Sequence, residues 1–173
     1  MCGLSKRRSK TTQAVSVVQA MATSVEFIAS EITKYDRNHT LRLALRTKQH
    51  TSIVAEIDLF LAELSPIGDM RFNGIGHAWQ EVKVDVARSI LRKVLEYDLA
   101  YGTREIEADD ATRISNAYLE LFTPDARYFT NGKFRGEGVG WSGMGQVAHA
   151  TCETGVVVVD SNSISILWCH DED

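Results

Sequence analysis

Two short patterns in this sequence set an imidazole beside a hydroxyl: His50-Thr51-Ser52 and His149-Ala150-Thr151. Two imidazoles facing each other can take and return a proton on opposite sides of a reacting centre, while the hydroxyls of Ser52 and Thr151 hold its oxygens. Nearer the C-terminus, His149, Cys152, Cys169 and His170 supply two nitrogens and two sulfurs, the ligand chemistry of a structural zinc site. Their spacing differs from that of such sites, which present ligand pairs from turns with about two to four residues between them. Cys169 and His170, as strand neighbours, point to opposite faces. No metal and no cofactor is therefore assigned.

The two His-x-Ser/Thr patterns resemble those of the two-histidine phosphoesterases. That resemblance implies a small hydrolase in which His50 and His149 exchange protons with a phosphate ester and Ser52 and Thr151 bind its oxygens. The opening Met1-Cys2-Gly3-Leu4 resembles the start of class II glutamine amidotransferases, in which removal of the methionine leaves a cysteine whose own amine activates its thiol. This chain departs from that family at once. A basic run with Lys6, Arg7, Arg8 and Lys10 follows where the family enters a strand.

No Gly-x-Ser-x-Gly, His-Glu-x-x-His, Cys-x-x-Cys or calcium-loop pattern occurs, and the glycines around Trp141 fit neither a phosphate loop nor a dinucleotide fingerprint. Glu105, Glu107, Asp109 and Asp110 crowd a helix start, where the helix dipole favours carboxylates. The formal net charge of −4 and a pI near 5.7 oppose binding to phosphate backbones and anionic membranes. Cys2, Cys152 and Cys169 form no disulfide framework, no apolar run is long enough to cross a bilayer, and the N-terminus lacks a secretion-signal core. These features place the protein in the cytoplasm.

The elements that must position these residues are mostly helical in the first two thirds. Ala14, Val18, Met21, Val25, Ile28, Ile32 and Tyr35 alternate spacings of four and three, a helix stripe that suits intramolecular packing or a homodimer seam. Residues 40–47 carry Leu41, Leu43 and Leu45 in strand alternation, but with good helix formers between them, and both readings stay open. Helices are expected from Ile53 to a stop at Pro66, from His77 to Tyr101 with Gly102 as C-cap, and from Asp109 or Asp110 to Pro124. Beyond Pro124, Asn131-Gly132 predicts a β-hairpin, and 146–151, 156–159 and 164–168 read as strands, the last two joined by a polar turn at 160–163. The run Val156 to Val159 predicts a strand covered on both faces.

The expectation is an α+β chain: a basic flexible N-terminus over 1–10, then one domain over 11–173 with three to four helices and a small C-terminal antiparallel sheet. Its expected role is that of a non-enzymatic protein-binding module of the inhibitor, immunity or adaptor type. Trp141, His170, Asp171, Glu172 and Asp173 would form an acidic and aromatic surface for a partner protein with a basic surface. The hydrolase built on His50, Ser52, His149 and Thr151 is the alternative.

Overall fold

A computed structural model of the chain describes residues 24–35, 41–50, 52–64, 66, 71–134, 141–143 and 145–171, with backbone only at 134 and 141–143. Outside these lie the basic run over 1–10 with Cys2, the helix stripe before residue 24, the glycine loop at 135–140, and Glu172 and Asp173.

The apolar runs near the C-terminus build the centre. β6 (Cys152–Val159) and β7 (Ser163–Asp171) pair as a hairpin, and both are buried on both faces, as the valine run predicts. Asp160 closes the turn between them: its Oδ1 accepts from Asn162 N at 2.8 Å and Ser163 N at 2.7 Å, and its Oδ2 accepts from Thr123 N at 3.2 Å. Burial alone would push this carboxyl up, but those three N–H groups outweigh it and hold its pKa below the usual range. The residues at 41–47 resolve as β1 (Leu41–Thr47), antiparallel to β7. β2 (Gln80–Val82) and β3 (Arg127–Thr130) complete an all-antiparallel sheet in the order β1-β7-β6-β3-β2.

The fold is α+β, and the sheet is its middle layer. Alternate residues on each strand serve opposite faces. On one face Leu41, Val156, Val158, Leu167 and Cys169 meet α1 (residues 24–33), α3 (Val84–Glu96) and α4 (Ala108–Leu119). On the other, Val157, Val159, Ile164, Ile166 and Trp168 meet α2 (Ile53–Glu63), Phe72, Trp79 and the 145–150 loop. Each fully buried Leu or Ile in these layers contributes about 1.5–3 kcal/mol. Gly155 lies under Trp168, and a Cβ there would stand 2.3 Å from Leu167 O. α1 is tied to α4 by ions as well as apolar contact: Arg113 reaches Glu31 at 2.8 Å and Asp110 at 3.0 Å, and Tyr35 donates to Asp110 at 2.7 Å.

Several sequence expectations change. The helix read from His77 begins only at Val84, because Trp79 is drawn into the core beside Trp168 and 80–82 pair with β3. α4 opens two or three residues earlier than read, with Glu107 at its N-cap and Asp109 and Asp110 in its first turn. Asn131-Gly132 makes no hairpin. Asn131 donates to Gly145 O at 3.0 Å and Glu153 O at 3.2 Å and accepts from Thr154 Oγ1 at 3.1 Å, so it staples β3 to β6. The chain then enters a separate ribbon of β4 (Gly132–Phe134) and β5 (Trp141–Gly143). Residues 145–150 are an irregular loop, not a strand: His149 has φ +58, and the Val147 and Ala148 amides donate to the Glu153 carboxylate.

Candidate interaction surface

The sequence-predicted site residues scatter. His50 is exposed just beyond β1, and its backbone N donates to the buried Glu56 carboxylate at 2.6 Å. Ser52 is the N-cap residue of α2, with no side-chain capping bond. His149 and Thr151 are exposed at the other end of the sheet. His50 lies past the Thr47–Ser163 pair and His149 before the Cys152–Asp171 pair. The β6–β7 ladder between them spans roughly 20 Å at about 3.3 Å per residue. The two imidazoles therefore do not share a cleft.

His149 instead joins two loops. Asn73 Nδ2 donates to Arg71 O at 3.3 Å and lies within hydrogen-bonding distance, 2.7 Å, of His149 Nε2. Asn73 N donates to Val147 O at 2.7 Å, closing the same junction. Below it, desolvation pushes the Glu153 carboxyl up in pKa, against the pull of the Ala148, Val147 and Ala150 amides. The arrangement fastens the 145–150 loop over the sheet. Cys152 and Cys169 side with the α3–α4 face while His170 and Glu153 lie on the opposite one, and no group of three His, Cys, Asp or Glu among the described residues is placed to hold a metal ion.

The end of β7 is where the sequence reading needs its main correction. His170 is only 1% exposed, edge-on to Phe72 with ring centroids 6.4 Å apart, and Asp171 is 5% exposed. Neither presents its side chain to solvent: His170 packs against Phe72, and Asp171 turns to the Leu99 amide. Glu172, Asp173 and the Trp141 side chain lie outside the described residues.

Asp171 points into the protein and shapes a neighbouring surface. Its Oδ2 accepts from Leu99 N at 2.7 Å and from Cys169 Sγ at 3.5 Å, which anchors the 97–104 turn that follows α3. Within that turn, Asp98 N donates to Thr103 O at 2.9 Å, Gly102 N to Asp98 O at 3.1 Å, and Tyr101 N to Asp98 Oδ1 at 2.6 Å. Gly102 has φ +67, a conformation glycine adopts without strain. The glycine expected to cap a helix here closes a turn six residues past the helix end. Leu99 is buried as a plug, and Tyr101 stands 73% exposed at the tip.

Beside the tip, Tyr97 lies under Lys93 Nζ at 4.2 Å, and Arg104 donates to the Tyr97 hydroxyl at 3.2 Å while pairing with Glu96 at 3.0 Å. That hydroxyl bond, with the adjacent carboxylates, raises the Arg104 pKa further. Glu105 and Glu107 are exposed next to it. The result is an aromatic tip on a fixed turn, with the Glu105 and Glu107 carboxylates and the Lys93 and Arg104 cations beside it. Sequence reasoning missed Tyr101 because it was placed inside a helix; the Asp98-Leu99-Ala100-Tyr101-Gly102 string, with Asp and Gly at turn positions, was the available signal.

No family model, no curated protein and no solved structure matches this chain. No helix among the described residues is long and apolar enough to cross a membrane.

Proposed function

We propose that this protein is a cytoplasmic, non-enzymatic protein-binding module, of the inhibitor, immunity or adaptor type, that meets a basic partner through the 97–104 turn. The observation that carries this reading is Tyr101, 73% exposed on a turn whose shape is already set by hydrogen bonds. Tyrosine contributes large contact area with few torsions to freeze, and a pre-ordered turn lowers the entropy cost of binding. Asp98, Glu105 and Glu107 around it, and the net charge of −4, favour association with a positive surface. Asp171 acts in this reading as a positioning residue beneath the turn. Of the first-helix stripe, Ile28 and Ile32 are spent in the chain's own core.

The test places a photo-crosslinking phenylalanine analogue at position 101 in the full chain and, as a control, at the exposed Phe27. A discrete adduct from position 101 alone identifies the partner. Titration of that purified partner against Tyr101→Ala is expected to show binding weakened by about thirtyfold, the equivalent of a 2 kcal/mol hot spot. Equal affinity for the parent and Tyr101→Ala proteins would end this reading.

A further inference from the structure

β1 is the outermost strand on its side of the sheet, and its register shows which backbone groups are already used. Lys48 N donates to Asn162 O at 2.9 Å, and Ser165 Oγ donates to Ala44 O at 2.7 Å. The even-numbered residues therefore turn their N–H and C=O groups toward β7. Alternate residues of a strand point opposite ways, so Leu41, Leu43 and Leu45 aim theirs at the open edge. No strand among the described residues meets them there. An unpaired edge of seven residues is a template for another strand.

Side chains along this edge have two characters. Leu43 and Leu45 are half-buried on the α3–α4 face, and Arg42 and Arg46 lie on the other. Arg46 is compensated by Glu56 at 2.7 Å and Glu63 at 2.9 Å. Arg42 has no carboxylate partner among the described residues, and its buried Nε has no acceptor. A fixed charge with a desolvated, unsatisfied donor costs free energy that an incoming carboxylate would recover.

We propose that β1 is a docking edge for an extended peptide segment of alternating acidic and apolar residues, which adds to the sheet as a sixth strand. Its backbone pairs with Leu41, Leu43 and Leu45, its apolar side chains cover Leu43 and Leu45, and its carboxylates reach Arg42. A second copy of this chain fits less well. Full antiparallel overlap of two β1 strands, centred on Ala44, sets Arg42 of one copy opposite Arg46 of the other, and like charges directly opposed are destabilising. This surface is independent of the 97–104 turn and stands without it.

The experiment titrates the full chain with a fluorescent peptide of alternating Val and Glu, as long as the seven-residue β1. Its analogues carry Gln for Glu, Lys for Glu, or N-methyl groups on alternate amides. The acidic peptide is expected to bind about tenfold or more tightly than the Gln analogue, and the Lys and N-methyl forms not to bind. Bound peptide should slow amide exchange at Leu43 and Leu45 and leave Arg42 and Ala44 unchanged. Arg42→Gln should remove the preference for Glu over Gln while leaving the melting temperature in place. Equal binding of the Glu and Gln peptides overturns the proposal, as does unchanged exchange at Leu43 and Leu45 under saturating acidic peptide. A self-dimer that already protects those amides would overturn it too.

Discussion

Replacing Asp171 with alanine probes the link between the sheet and the exposed turn. The carboxylate is 5% exposed and takes the Leu99 amide at 2.7 Å, and Leu99 itself is buried. Removing it strands a buried N–H and forfeits a hydrogen bond to a charged acceptor, which is worth about 1.5–3 kcal/mol. Taking about 2 kcal/mol, the melting temperature should fall by roughly 4–8 °C for a chain of this size. Asp171→Asn keeps an acceptor and should lose about half as much, because charge assistance roughly doubles a hydrogen bond. Urea unfolding gives both values. Native-state amide exchange supplies the local readout: Leu99 should exchange faster by more than the global loss explains, while Val157 in the centre of the sheet should follow global stability alone. If Asp171→Ala matches the parent in stability, or if Asn and Ala cost the same, then the carboxylate does not anchor the turn.

Other outcomes follow from buried contacts. Gly155→Ala should cost about 3 kcal/mol or more in urea unfolding, because its Cβ would meet Leu167 O at 2.3 Å and Trp168 Cα at 2.7 Å, and backbone cannot step aside. Glu56→Ala should cost about 3–5 kcal/mol, since it strips Arg46 of a 2.7 Å partner and leaves the His50 and Gln49 amides without theirs; a loss under about 1 kcal/mol would show that solvent already serves these groups. Acid should unfold the protein through Asp160, Glu31 and Asp110. The Asn162, Ser163 and Thr123 amides hold Asp160 low, Lys34 and then Arg113 hold Glu31 low, and Tyr35 and then Arg113 hold Asp110 low. A lowered folded pKa contributes stability that is whole above the ordinary value near about 4 and is lost as pH falls through the folded value. Urea midpoints measured downward from neutral pH should therefore drop below about pH 4, and Asp160→Asn should flatten that drop. Glu153 works in the opposite sense, its raised pKa removing stability as pH climbs from about 4.3 through the folded value, so Glu153→Gln should lose that decline.

The class of fold was legible in local pattern because burial imposes its period on the chain. The Val156 to Val159 run, the polar turn at 160–163 and the stripe through Ile28 and Ile32 each report an environment that a single element meets on its own, and each holds in the structure. Residues 41–47 could be read either way in isolation. Pairing with β7 decided them, since all seven residues lie in register opposite β7 and alternate ones bond to it.

The surface was not legible, for a related reason. Local rules assign turn chemistry to Asn131-Gly132, but three side-chain hydrogen bonds to β6 and the 145–150 loop redirect Asn131, and no local pattern records a partner some 20 residues away. A charged strand end reads as exposed, yet Asp171 is drawn inward by one amide 72 residues earlier in the chain. Composition by itself determined the charge and that the chain buries a core. Which acids face solvent, and that Tyr101 and not His170 is presented, was decided only when long-range hydrogen bonds had to satisfy buried polar groups.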